Sequence, residues 1–315
     1  MKTVNSVKGE INIEELGCTL IHEHLRTRDE RVVAQFPHLY DVEEEIALAV
    51  EQVKAAKERG VKTIFDPSVM GLDRDVRFME LVADKTGMQI IAATGIFTFH
   101  YLPTRFVSND IDFMAKQFIR DIEVGVQNSP IRAGFLKCAT DYQGITPDVE
   151  KVIRAVARAH HKTGVPIMTH SHPKSGTGLN QLAIFKEEGV PLNNVLIGHC
   201  GDTDNLDYIE RVLDSGAFIG MDRYGLTHTL STEKRNDTVI ELVKRGYTNR
   251  MFLSQDYCCT TDLHKPESSK KAAHPDWSMT FLMDKVLPAL RSHGISDEHI
   301  HMMMVENVKA WLSTK

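Results

Sequence analysis

The sequence predicts an α/β barrel of eight parallel strands, each followed by helix, the TIM or (β/α)8 architecture. Short, continuously apolar segments alternate with longer stretches of helical period about eight times along the 315 residues. Strands that are apolar throughout belong to parallel sheet covered on both faces. No glycine-rich phosphate-binding loop follows the first strand, which weakens the alternative of an open dinucleotide-binding sheet. Eight repeats of roughly 30 residues favour closure into a barrel.

The expected strands, in order, are Thr19–His24, Val61–Pro67, Gln89–Thr94, Ala133–Ala139, Pro166–Ser171, Asn194–His199, Ala217–Asp222 and Met251–Asp256. Between the first two lies Val42–Arg59, whose Ile46, Val50 and Val53 fall on one helical stripe. Pro147–Lys162 is another helix, with Thr146 as its N-cap and Pro147 in its first turn. Gly60, Gly164, Gly189 and Gly216 stand where helices should close before the next strand. After the eighth strand, Tyr257–Pro275 reads as a polar, lysine-rich loop without a strand, lying over the catalytic face.

Composition sets the class. Hydrophobic residues make up 42% and charged residues 25%, enough apolar material for one large core, and the whole of 1–315 reads as one domain. The net charge is 37 − 43 = −6 with no basic face, so nucleic acid is not expected as a partner. Five scattered cysteines form neither a disulfide framework nor a zinc motif. The N-terminus has no apolar signal core, and no apolar run approaches the length of a bilayer span. A cytoplasmic enzyme without a membrane partner is expected.

In a barrel the C-terminal strand ends form the active face. Here they present His22 and His24, Asp66, Lys137, His170, His199, Asp222–Arg223 and Asp256. His22-Glu23-His24 puts two imidazoles on one strand face, where they could grip one divalent ion. His170 and His199, from the fifth and sixth strands, could grip a second across the mouth. Neutral imidazole suits zinc, cobalt, iron or manganese. Asp256 could complete a coordination sphere and accept a proton from water acidified by the ions. One histidine at a strand end is usually structural; four, with a lysine and an aspartate, are hard to explain separately. His172 lies beyond its strand, so His170 is preferred, and His160-His161, His293 and His299-x-His301 read as surface residues on helices. Lys137 has three readings: a carboxylated, anionic bridging ligand, a neutral amine that forms a Schiff base, or a salt-bridged barrel lysine.

Five segments carry a resemblance. Leu20-Ile21-His22-Glu23-His24-Leu25, Gly134-Phe135-Leu136-Lys137, Thr169-His170-Ser171, Ile197-Gly198-His199-Cys200-Gly201-Asp202 and Ser254-Gln255-Asp256-Tyr257-Cys258-Cys259 resemble, in order, the ligand strands of the phosphotriesterase family of the amidohydrolase superfamily. Met221-Asp222-Arg223-Tyr224-Gly225 is most similar to its phosphotriesterase-like lactonases. The resemblance implies an amidohydrolase-type barrel with two divalent metals on His22, His24, Lys137, His170, His199 and Asp256, Lys137 being carboxylated. It implies hydrolysis of N-acyl homoserine lactones and related γ- and δ-lactones by hydroxide shared between the metals, and weak cleavage of organophosphate triesters such as paraoxon. Asp256 would shuttle the proton and Arg223 would steady the leaving oxygen. Phe97, Phe99, Tyr224, Cys258 and Leu263 would line the substrate pocket. Phe97 stands where these lactonases usually place a tyrosine, and Leu263 where close relatives often place a tryptophan. The first change removes a hydroxyl near the metals; the second loosens the pocket for the acyl chain. A homodimer is also implied, with Phe36-Pro37-His38-Leu39-Tyr40 as a segment that could be buried in it. The competing readings are the same site acting on organophosphate or carboxylic esters, a metal-free aldolase using Lys137, and a barrel kept for binding alone.

Overall fold

The alternating apolar segments close into a barrel of parallel strands. The computed structural model describes residues 2–264 and 266–313. It opens with a hairpin that the alternation did not announce, β1 (Thr3–Ser6) antiparallel to β2 (Gly9–Asn12). The hairpin is tied to the barrel wall by Asn5 Nδ2, which donates to the Ala133 carbonyl at 3.0 Å. There follow β3 (Thr19–Leu20), β4 (His24–Thr27), β5 (Thr63–Asp66), β6 (Gln89–Gly95), β7 (Phe135–Ala139), β8 (Ile167–His170), β9 (Val195–Ile197), β10 (Phe218–Met221), β11 (Met251–Leu253) and β12 (Cys258–Thr261). The eight-stranded parallel sheet runs β11-β10-β9-β8-β7-β6-β5-β3. Each expected segment holds one of its strands.

Two corrections concern the seam between the ends of this sheet. The first segment, expected as one strand over Thr19–His24, breaks after Leu20 and resumes at His24. The interruption arises because His22 N–H donates to a side chain, Ser254 Oγ at 3.1 Å, rather than to a ladder carbonyl. Tyr257–Pro275 is not strand-free either. β12 lies within it and pairs parallel with β4, and Glu267–Ala273 is a helix; Lys265 lies outside the described residues. Lys270 from that helix reaches back, its buried Nζ donating to the Cys258 and Cys259 carbonyls at 2.8 and 2.9 Å. Across the seam, Asp256 N–H donates to the His22 carbonyl (3.0 Å) and His24 N–H to that of Tyr257 (2.8 Å).

Both anticipated helices form, as Val42–Glu58 and Pro147–Thr163. Thr146 caps the second by accepting the Val149 N–H at 3.3 Å, and Gly164, at φ 73°, closes it. One histidine of this helix departs from the surface expectation. His160 is buried, with Nδ1 2.8 Å from the Val165 carbonyl and Nε2 3.2 Å from Asn194 Nδ2, whereas His161, His293 and His301 are exposed. Among the described residues, no helix is long and apolar enough to cross a membrane.

The barrel interior has an apolar floor and a polar mouth. Phe65, Phe135, Phe218 and Phe252 are buried there, closed by Trp311 from the C-terminal helix; Phe65 and Phe135 are 5.4 Å apart and Phe218 and Phe252 5.1 Å. Burying each ring contributes roughly 1.5–3 kcal/mol. Strand side chains alternate, so the residue two further along faces the same way, one layer nearer the mouth. Phe135 is thus followed by Lys137, Met168 by His170, and Phe252 by Ser254 and then Asp256.

Candidate metal centre

The mouth gathers imidazoles whose outer nitrogens are anchored. His22 Nδ1 is 3.0 Å from Asp222 Oδ2, and His199 Nδ1 is 3.0 Å from Oδ1 of the same carboxylate. Burial alone would raise Asp222, but hydrogen bonds from His199 and His22 hold it well below the usual carboxylate range. It is therefore ionised, accepts from both rings, and sets each as the Nδ1–H tautomer with a bare Nε2 facing inward. Burial, with Lys137 nearby, pushes the His22 imidazole down to about 3, so that ring is neutral. His24 is anchored differently, Nδ1 lying 2.7 Å from Ser68 Oγ, which donates in turn to the Arg26 carbonyl at 3.3 Å.

Asp256 receives these inner nitrogens. Its Oδ1 is 3.3 Å from His24 Nε2 and 3.5 Å from His22 Nε2. Its Oδ2 accepts from Arg223 Nε at 2.9 Å. Arg223 then donates from Nη1 to Asp202 at 2.8 Å, and Asp202 is bound on its far side by Arg235. Burial would raise Asp256, but the Arg223 guanidinium on its Oδ2 holds it ionised, well below the ordinary range.

Asp256 and His199 both have left-handed backbones, φ 51° and 65°. Non-glycine residues there cost of order 1–3 kcal/mol and need surroundings that hold them. For Asp256 the holder is Glu23, wholly buried between the two seam histidines. Glu23 Oε1 accepts from Ser254 Oγ (2.8 Å) and Gln255 N–H (2.9 Å), and Oε2 from Tyr257 N–H (2.7 Å), so both neighbours of Asp256 are pinned.

Lys137 is 1% exposed, with Nζ 3.5 Å from His22 Nε2. Among the described residues no carboxylate oxygen comes within 4.0 Å of it, which removes the salt-bridged reading. Burial pushes this amine down to about 8. His170 Nδ1 lies 3.0 Å from His199 Nε2, and the Phe97 and Phe99 rings pack on His170 at 5.4 and 5.2 Å.

These groups fit divalent ions. Donor atoms of His22, His199 and Asp256 all lie within 4.8 Å of one another, flanked by the nitrogens of His24 and His170. The set is imidazole plus carboxylate, with the distal nitrogens of His22, His24 and His199 anchored as ligating histidines generally are.

Above the centre is a cavity of about 470 Å³ lined by Phe97, Cys258 and Leu263 among others, Leu263 with 84% exposure. Two pocket expectations fail. Tyr224 is fully buried in the core because, adjacent to Arg223, it faces away from the mouth. Phe99 stacks behind Phe97 at 4.8 Å and does not line the cavity. Sequence reasoning left Ser68, Glu23 and Asp202 without roles and did not foresee Asp222 serving two rings. Glu23 alone carried a signal, as the acid between His22 and His24.

Comparison with known proteins gives consistent results. The model of the phosphotriesterase family matches residues 2–312. An aryldialkylphosphatase of Saccharolobus solfataricus is 49% identical over 308 residues, covering 97% of this chain and 98% of its own. A phosphotriesterase homology protein of Mycobacterium tuberculosis is 40% identical over 315 residues, with 98% and 96% covered. The solved structure of the phosphotriesterase from Mycobacterium tuberculosis superposes with a TM-score of 0.96 at 39% identity, covering 99% of each chain.

Proposed function

This chain belongs to the phosphotriesterase family, and from that premise we propose that it is a binuclear metal-dependent lactonase acting on N-acyl homoserine lactones and related γ- and δ-lactones. The observation that carries the lactone reading is the Arg223–Asp256 pair, 2.9 Å apart beside the histidines and open to the cavity. The catalytic domain is the barrel, 1–315, and the metal ligands are His22, His24, Lys137, His170, His199 and Asp256.

Two divalent ions there would supply Lewis acidity and lower the pKa of water from 15.7 to about 7. Lys137 fits such a site once its neutral amine has added to carbon dioxide, forming an N–C bond and releasing a proton, because the carbamate is anionic. Burial lowers the Lys137 ammonium to about 8 and makes that neutral amine accessible near neutral pH. Asp256, ionised and oriented by Arg223, accepts the proton of the attacking water on a carboxylate oxygen. As the acyl C–O bond of the lactone breaks, Asp256 returns that proton to the leaving alkoxide, and the Arg223 guanidinium steadies the developing charge. Phe97 covers His170 and excludes water from that side.

A second reading, organophosphate triesters as main substrates, is favoured by Phe97, which offers no hydroxyl where lactonases of this type carry one. Steady-state kcat/KM of the metal-loaded enzyme for an acyl homoserine lactone and for paraoxon tests the choice. Faster lactone turnover, raised further by Phe97→Tyr, supports the lactonase; faster paraoxon turnover overturns it in favour of the triesterase. Trapping of Lys137 by borohydride with a carbonyl substrate, unaffected by chelation, would point instead to the aldolase. Phe36 and Leu39, 52% and 61% exposed, support a homodimer through that segment. Five free cysteines support a reducing compartment such as the cytoplasm.

A further inference from the structure

Three imidazoles line the cavity without joining the metal centre. The His274 ring stands between His228 and His264, with centroids 5.4 and 5.1 Å away, and meets the Trp277 indole at 5.8 Å. They come from separate stretches, His228 after β10 and the other two on either side of the helix Glu267–Ala273. All three face the same space as His22, His199 and Asp256.

Among the described residues, no ring nitrogen of these three makes a hydrogen bond or ion pair. They lack the anchoring acceptor that ligating histidines generally have, and their donor atoms do not gather as those of the inner cluster do. That weighs against a cation. An anion suits them better, because each ring keeps an unpartnered N–H to donate. Burial, Arg223, Arg235 and Lys174 lower His228, opposed by Asp202; burial, His228 and His264 lower His274. A neutral imidazole offers one N–H, and an anion accepting it favours uptake of a second proton. Trp277 supplies an apolar wall for the methylenes of a connecting chain.

We propose that His228, His264 and His274 form a distal subsite for a carboxylate at the end of the substrate remote from the scissile bond, so that among the esters and lactones the site hydrolyses, those with a distal carboxylate are favoured over neutral counterparts of the same length. This rests on the hydrolytic reading above, and its test separates the two. The probes are 4-nitrophenyl hydrogen glutarate and 4-nitrophenyl pentanoate, which share acyl length and leaving group. With the metal-loaded full chain, the kcat/KM ratio should favour the hemiester by about tenfold or more at pH 6, the scale of a charge-assisted hydrogen bond. The ratio should narrow at pH 8 as His228 and His274, whose imidazoles burial lowers, lose the second proton that a bound anion favours. In the His228→Asn, His264→Asn, His274→Asn triple variant, with metal content checked, it should collapse toward one. A ratio near one in the unaltered enzyme, or one unchanged in the triple variant, overturns the subsite. Calorimetric titration with glutarate separates this from failure of hydrolysis. Weaker glutarate binding in the triple variant supports the subsite even if neither ester is cleaved; equal binding overturns it. An additional zinc ion per chain, seen by equilibrium dialysis and lost in the triple variant, would overturn it in favour of a cation site.

Discussion

The inner and outer histidines of the cavity differ in what stands behind them. His22 and His199 lean on one carboxylate, Asp222, and His24 on Ser68, so each presents one nitrogen in one direction. His228, His264 and His274 lean on one another and on Trp277, with both nitrogens of each ring unpartnered among the described residues. The inner arrangement suits a ligand that must be held at a fixed position. The outer one suits a ligand that arrives and leaves with each turnover. Residue type is the same in both; the partner on the distal nitrogen decides the role.

Substitutions should matter less the further they lie from the inner rings. The largest effect is expected from Asp256→Asn, which removes the carboxylate facing His22 and His24 and leaves Arg223 without one partner. A loss in kcat/KM of about a thousandfold or more is predicted, since Lewis-acid and proton-transfer assistance together amount to several kcal/mol and each 1.4 kcal/mol is tenfold. Asp222→Asn comes next. It touches no substrate, yet metal affinity measured by chelator competition should fall by about ten- to a hundredfold, for ligands on both sides of the centre, because two rings lose their anchor together. Ser68→Ala frees His24 alone and should cost about tenfold, at the low end of the same range. If Asp222→Asn and Ser68→Ala leave metal affinity unchanged, anchoring is not what distinguishes the inner rings.

The smallest effect concerns His160, a structural histidine remote from both groups. Burial lowers its imidazole from the ordinary 6.5, so the folded protein holds it neutral. Its contribution is therefore present above about pH 6.5 and is lost as pH falls through the lower folded-state value, where the unfolded chain binds the extra proton. Thermal melts between pH 7.5 and 5 should show a shallower decline in His160→Gln than in the unaltered protein. A parallel decline would contradict the buried neutral state.

How much of this was legible in the sequence follows from the range of the forces involved. The barrel and its strand-end ligands could be read because alternation along a strand is local: Phe135 faces the floor, so Lys137 faces the mouth. The same rule excludes Tyr224 from the cavity, next to Arg223 and so on the opposite face, though the resemblance had placed it there. The seam was not legible. β12 pairs with β4 across more than two hundred residues, and Glu23 clamps Gln255 and Tyr257 over a similar span. The outer histidines were invisible for the same reason, since no spacing along the chain relates His228 to His264 and His274 until two loops meet over the mouth.

Elemental analysis of the purified chain shows whether the anchored imidazoles with Lys137 and Asp256 form a metal centre on which hydrolysis depends. It should be paired with lactone hydrolysis before and after chelation. About two divalent ions per chain are expected, with activity lost on chelation and recovered on adding zinc or cobalt with bicarbonate. A chain that binds no metal, or that hydrolyses lactone equally well after its metal is removed, would contradict that dependence on metal.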